Sequence, residues 1–162
     1  MLFRSLGGTE ALSEAKQQWM ESQNWQPLPR LVEDTLVVRD PFEAFVAQNV
    51  AIEGLLYPLV FDAVVDGIWA QNGGAPISML AQFITDWSVE ETKWVDSVVK
   101  IAAAESTQNA SIIAEWANKW SSRAAAALLP PVAAVLGSDA DALVSQTVET
   151  LNARLTKAGI TL

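Results

Sequence analysis

The chain has 162 residues, enough for one domain with a single core, and at 51% hydrophobic it is not a disordered chain. It contains no histidine and no cysteine, which excludes histidine-ligated metals, haem, Ser-His-Asp and Cys-His catalysis, and disulfides. A formal net charge of -9, with ten Lys and Arg residues scattered rather than clustered, excludes nucleic acid and anionic membrane surfaces as expected partners.

The start, Met1-Leu2-Phe3-Arg4-Ser5-Leu6-Gly7-Gly8, has no long apolar run, so no export signal is expected and the chain is read as soluble and cytoplasmic. Thr9 is placed as the N-cap of a helix to about Ser22, with Leu12, Ala15, Trp19 and Met20 at helical spacing. Pro27 suits the first turn of a second helix reaching about Val38. Asp40-Pro41 repeats the start signal for a third helix of about 30 residues, toward Gly73-Gly74, with a kink expected near Gly54 or Pro58. Its apolar residues, from Phe42 and Phe45 through Leu55 and Val64 to Trp69, point in nearly every direction, which predicts burial all round.

A fourth helix follows Pro76, with Leu80, Phe83, Ile84, Trp87, Trp94, Val95, Val98 and Ala102 as one apolar stripe. Ser88 and Glu91 fit a capping box that would break it. A fifth helix starts near Ser106, carries Ile112, Ile113, Trp116, Trp120, Ala124 and Leu128, and is expected to end at Pro130-Pro131. The last is capped by Ser138, carries Val144, Val148, Leu151, Leu155 and Ala158, and stops at Gly159. No hairpin signal or internal repeat is present, so the class is all-α in one domain over residues 1–162. The longest charge-free stretches, such as Ala124 to Ser138, fall short of the roughly 20 residues a spanning helix needs. A mean hydropathy of +0.21 nevertheless points to surface buried against another chain.

Candidate chemistry starts with the carboxylates: Asp62 and Asp66 four apart, and the pairs Glu33-Asp34 and Glu90-Glu91. A di-iron site in a helical bundle takes a Glu-x-x-His from each of two helices, which this chain does not contain. These carboxylates are read as solvated faces, caps or interface groups, and no EF-hand-like spacing supports an all-oxygen Ca²⁺ or Mg²⁺ site. Ser97-Val98-Val99-Lys100 and Ser13-Glu14-Ala15-Lys16 both fit Ser-x-x-Lys, but the companion signatures of serine acyl-enzymes are missing. Asn109-Ala110-Ser111 is a formal glycosylation sequon, without meaning in a cytosolic protein. Gly73-Gly74 is a turn and not a phosphate loop, and Trp87 with Trp94 and Trp116 with Trp120 have the spacing of core or interface packing. No residue is therefore assigned a catalytic, cofactor-binding or metal-binding role.

The segment Trp25-Gln26-Pro27-Leu28-Pro29-Arg30-Leu31-Val32-Glu33-Asp34, followed by Arg39-Asp40-Pro41-Phe42-Glu43-Ala44-Phe45, resembles the hydroxylase β-subunit of bacterial multicomponent di-iron monooxygenases, the phenol, toluene and propane hydroxylase group. Glu53-Gly54-Leu55-Leu56-Tyr57-Pro58-Leu59-Val60 and Trp94-Val95-Asp96-Ser97-Val98-Val99-Lys100 extend the resemblance, which runs from about Leu6 to Gly159. It implies a ferritin-like helical subunit with a structural role, in a hydroxylase whose α-subunit holds the di-iron centre, with a γ-subunit as further partner. No cofactor is expected in this chain. Such β-subunits are about twice as long, so the chain resembles their C-terminal half, with Met1 to Ser5 as an accidental or truncated start. Phe42 in Asp40-Pro41-Phe42, in a stretch where the resemblance leads one to expect a tryptophan, marks a divergent member.

Half a bundle leaves apolar surface uncovered, and every 1,000 Å² left in water forgoes roughly 25 kcal/mol. A missing N-terminal β half, the α-subunit or a second copy is expected to cover it. The alternative reading is a free-standing helical interaction or hydrophobic-ligand-binding module that uses the third helix as a groove.

Overall fold

The computed structural model describes residues 8–72 and 74–162. Met1 to Gly7 and Gly73 lie outside the described residues, and with them the expected irregular start and half of the glycine turn. Among the described residues six long helical stretches follow in order, besides two short 3₁₀ turns: α1 (Gly8–Glu21), α2 (Pro27–Leu36), α3 (Pro41–Trp69), α4 (Ala75–Glu105), α5 (Thr107–Leu136) and α6 (Ala140–Lys157). No strand occurs among the described residues. The expected all-α class holds.

Several starts and stops follow from local chemistry. The Asp40 carboxylate accepts the N–H groups of Phe42 (2.8 Å) and Glu43 (3.2 Å) and Pro41 opens the first turn, as the sequence predicts for α3. Ser106 caps α5 by accepting Asn109 N–H at 3.0 Å. The Gln26 amide donates to the carbonyls of Trp19 (3.2 Å) and Met20 (2.8 Å), satisfying the end of α1. Gly159, at φ 93°, closes α6: Ile160 N–H reaches back to Leu155 O (3.0 Å) and Gly159 N–H to Thr156 O (3.1 Å). Ile160 is then fully buried beside Leu155.

Other boundaries differ from the sequence expectation. Thr9 lies inside the first turn, because α1 already includes Gly8. α2 stops at Leu36 rather than Val38. α4 runs unbroken through Ser88 and Glu91; the Ser88 hydroxyl donates back to Thr85 O (2.7 Å), which a helix interior accommodates, and so caps nothing. α5 continues through Pro130 and Pro131 to Leu136, although each proline removes a helical N–H donor. Pro131 and Val132 are buried, and this packing outweighs the lost bonds. Ser138 lies in a short 3₁₀ turn (Gly137–Asp139) before α6 and donates to Asp139 instead of capping the helix.

The expected disturbance near Gly54 and Pro58 takes the form of π-helical winding. α3 is π-helical over Val46–Ile52 and Tyr57–Trp69, with a short α segment, Glu53–Leu56, between. Gly54 sits where α6 crosses: a Cβ there would lie 3.2 Å from Leu151 Cδ1. Pro58 falls in the opening turn of the second π segment, and Ala70 N–H bonds Val65 O five residues back.

The core gathers where α3 meets α5 and α6, around Val46, Val50, Leu55, Leu59, Trp120 and Leu128, all at or below 1% exposure. α3 is not buried all round. Phe45, Ile52, Leu56, Val60 and Phe61 are only half-buried and Trp69 is exposed. By length and composition Pro41–Trp69 and Thr107–Lys157 would each suffice to cross a membrane, yet only 33% of each apolar window is buried within the chain. The rest of each window stays partly or fully open to solvent.

Candidate interaction face and apolar cavity

α4 shows two faces of opposite character. Val95, Val99 and Ala103, four apart, are buried against the core. Leu80, Trp87, Trp94 and Ile101, seven apart, stand in solvent, with Phe83 beside them at 83% exposure. A seven-residue period keeps one line of side chains facing one partner along the whole helix, as in helix pairing. The single stripe expected from sequence therefore splits: Val95 belongs to the core, while Trp87 and Trp94 are open. Trp94 meets Phe45 edge-on (5.6 Å) and Trp87 meets Tyr57 edge-on (6.1 Å), which fixes both indoles along the α3–α4 seam.

Carboxyls also lie along this α3–α4 seam, Glu53 and Asp62 lining one recess with Tyr57 and Ser88. Glu91 is raised above the usual carboxylate range, first by burial and then by the charge of Glu53 and a hydrogen bond with it. Burial, followed by the charges of Glu53 and Glu91, pushes the Tyr57 hydroxyl up to about 12. Asp62 is raised too, by the protein packed around its carboxyl and then by Asp66. Asp66 accepts from the Ser78 hydroxyl at 2.6 Å, joining α3 to α4.

A second group ties α2, α3 and α5. Glu43 Oε1 accepts Lys119 Nζ (2.7 Å) and Trp120 Nε1 (3.0 Å), and the Lys119 hydrogen bond is the main reason its pKa is lowered. Lys119 and Arg123 lie 4.9 and 4.7 Å from the Trp120 ring centroid, and Arg123 also pairs with Asp34. Arg154 bonds Asp96 at 2.9 Å, locking α6 onto α4.

The carboxylates singled out from sequence are thus employed separately: Asp34 with Arg123, Glu90 with Lys93 (2.6 Å), Glu91 with Glu53, and Asp66 with Ser78. Ser97 donates to Lys93 O (2.8 Å) and Ser13 to Thr9 O (3.1 Å), ordinary helix back-bonds in both Ser-x-x-Lys segments. Asn109 binds Ala102 O (3.2 Å) and Glu105 (3.3 Å) as part of the α4–α5 turn. Among the described residues no three His, Cys, Asp or Glu side chains converge to hold a metal ion. The residues present do not fit a di-iron centre.

The sequence suggests at most a groove along the third helix; it does not place the apolar cavity of about 350 Å³ that α3 bounds together with α1, α2 and α5. Trp19, Trp25 and Trp69 form part of its rim, and Leu31, Leu128 and Val132 its floor. Its walls come from four separated segments, so no local motif announces it.

This arrangement of helices has relatives. A family model described as methane/phenol/alkene hydroxylase matches residues 4–106. The chain belongs to that family. Within the methane/phenol/alkene hydroxylases it is 44% identical over 125 residues to the phenol 2-monooxygenase oxygenase component DmpL of Pseudomonas sp. strain CF600, covering 76% of this chain and 38% of the relative. It is 35% identical to the corresponding component MhpL of Acinetobacter pittii strain PHEA-2, covering 93% of this chain and 44% of the relative. A crystal structure of xenon-pressurized phenol hydroxylase from Pseudomonas sp. OX1 superposes with a TM-score of 0.83 at 38% identity, over 94% of this chain and 45% of that one. The chain therefore matches, in part, one component of the phenol hydroxylase systems of this family. It spans less than half the length of these relatives.

Proposed function

We propose that this chain is the C-terminal half of a non-catalytic hydroxylase β-subunit, one helical domain over residues 1–162, that supports the iron-bearing α-subunit of a cytoplasmic monooxygenase acting on hydrocarbon or aromatic substrates. The observation that carries this reading is the open row Leu80, Trp87, Trp94 and Ile101, together with Phe83, on a helix that buries Ala81, Val95, Val99 and Ala103 against the rest of the chain. Large exposed indole and phenyl groups in register are what a helix presents to a partner helix. A protein partner fits better than a bilayer, because Glu53, Glu91 and Asp62 lie along the same α3–α4 seam and carboxyls in hydrocarbon are costly. The di-iron centre and the oxidation belong to α in this reading, and the γ-subunit, the N-terminal β half or a second β copy complete the assembly. A β-subunit named as such, that of the toluene-4-monooxygenase hydroxylase component of Ectopseudomonas mendocina, is 28% identical over 102 residues.

Co-expression with a matching α-subunit tests the reading. The wild-type chain is expected to co-purify with α, and Trp87→Lys or Phe83→Glu to reduce recovery at least tenfold while leaving helical content unchanged. Failure to co-purify where a full-length β-subunit does would remove the assembly role, and undiminished recovery of both variants would remove this face from it. A second reading, a free-standing module for hydrophobic ligands, is favoured by the apolar cavity alone, and a stable monomer in light scattering would support it.

A further inference from the structure

We propose that the cavity between α1, α2, α3 and α5 is a binding site for one small uncharged hydrocarbon, best a monocyclic aromatic. The site would exist whether or not the chain docks onto an α-subunit. At about 350 Å³ it lies within the range of small-molecule pockets, and it is more than twice the roughly 150 Å³ of a leucine-lined cavity that takes up benzene. Every lining side chain is apolar apart from the indole N–H groups of its three tryptophans. Buried water needs two to four polar partners, so the interior favours an apolar occupant over solvent.

The construction of the wall supports this. Leu31, Leu128 and Val132, at 4% exposure or less, give a rigid floor. Pro131, carried inside α5 against helix preference, lines the site and contributes no N–H donor there. The rim is of a different kind: Trp19, Trp25 and Trp69 are each between 36% and 46% exposed, and Trp19 and Trp25 meet at 5.9 Å. A flat aromatic can pass between exposed indoles and then contact their faces and edges inside. Selectivity follows from what is missing. No carboxylate, lysine or arginine lines the cavity, so an ionised ligand would be buried without a counter-ion. A hydroxyl on the ring would have no side-chain acceptor, which predicts roughly tenfold weaker binding of phenol than of toluene.

The three rim tryptophans supply the readout. Titration of the purified chain with toluene, followed by tryptophan emission and by calorimetry, is expected to show saturable one-to-one binding with Kd of about 0.1–1 mM and a blue shift of emission. Phenol should bind about tenfold more weakly, and benzoate not detectably. Val60→Phe, which fills the cavity from α3, should abolish toluene binding with little change in the thermal melt. Val135→Phe, at the rim, serves the same purpose if the first variant loses its fold, and Gln108→Ala, at the far end of α5, should bind as wild type. A linear, unsaturable response to toluene would overturn the proposal. So would equal affinity for phenol, or wild-type affinity in a folded Val60→Phe and a folded Val135→Phe. The same titration on the chain assembled with its partners discriminates a ligand site from a socket: loss of toluene binding on assembly would mean that a partner's side chain fills the cavity, and would also overturn it.

Discussion

Replacing Glu43 should expose how α3 is fastened to α5. Its Oε1 accepts from Lys119 Nζ at 2.7 Å and from Trp120 Nε1 at 3.0 Å, and Trp120 is only 1% exposed. Glu43→Ala leaves a buried indole N–H without a partner, which costs about 1–3 kcal/mol. It also removes an ion pair with a lysine whose side chain is half in water, worth at most about 1 kcal/mol. The expected loss is about 1–4 kcal/mol in urea unfolding followed by circular dichroism. Glu43→Gln keeps an acceptor for the indole and should cost only about 1 kcal/mol, and the cycle with Trp120→Phe should give a coupling of about 1–2 kcal/mol. The pH dependence has a fixed sign. Because the Lys119 hydrogen bond holds the folded-state pKa below its unfolded value, the stabilisation is fully present above the unfolded pKa and is lost as pH falls through the folded one. The advantage of wild type over Glu43→Gln should therefore shrink on acidification below about pH 4. A Gln variant as unstable as the Ala variant, or a difference independent of pH, would refute this account of the contact.

Leu128→Ala, at a fully buried position on the cavity floor, should cost about 2–5 kcal/mol in the same assay, and a cost below about 1 kcal/mol would mean that the floor collapses freely. Gly159→Ala places a Cβ at φ 93° and should destabilise by about 1 kcal/mol, seen as a lower Tm, because the turn that returns Ile160 to the core is strained. Glu91→Gln should act in the sense opposite to Glu43→Gln. The folded-state pKa of Glu91 is raised by burial and by Glu53, so its contribution is present below the unfolded pKa and lost as pH rises through the folded one. The variant should therefore gain on wild type toward neutral pH, and a stability difference that is flat between acid and neutral conditions would contradict the shift.

Features set by a few adjacent residues were legible from sequence. Asp40-Pro41, Ser106 and Gly159 act through bonds between groups no more than five residues apart, so the sequence holds the whole interaction. The failures share a cause in distant packing. Pro130-Pro131 signals a stop by local rules, but burial of Pro131 and Val132 carries the helix through. Ser88 and Glu91 form a plausible cap pair on paper, whereas Glu91 is engaged by Glu53 on another helix. The α4 stripe was seen but not divided, because apolar residues at spacings of three, four and seven look alike until one face is filled. Its seven-residue row, Leu80 to Ile101, was the available signal for a docking face. The cavity had no such signal, since Trp19, Ile52 and Val135 become neighbours only on folding.

Where the apolar deficit falls decides what a partner has to do. Half a bundle implies, from sequence alone, a core that cannot close by itself. In the structure the core around Val50, Leu55, Trp120 and Leu155 is closed, each at 1% exposure or less, and is cross-tied by Glu43 to α5 and by Arg154 to α4. The open surface lies instead on α1, which buries no residue, and on the outer row of α4. A partner is therefore not needed to complete the central packing. In the assembly proposed above its effect would be to withdraw Phe83, Trp87 and Trp94 from water, and burying one such ring is worth about 1.5–3 kcal/mol. Docking then stabilises an element that is already helical, so little of the gain is lost to ordering, and the Glu53–Glu91 carboxyl pair beside the aromatic row is the polar feature the partner has to match.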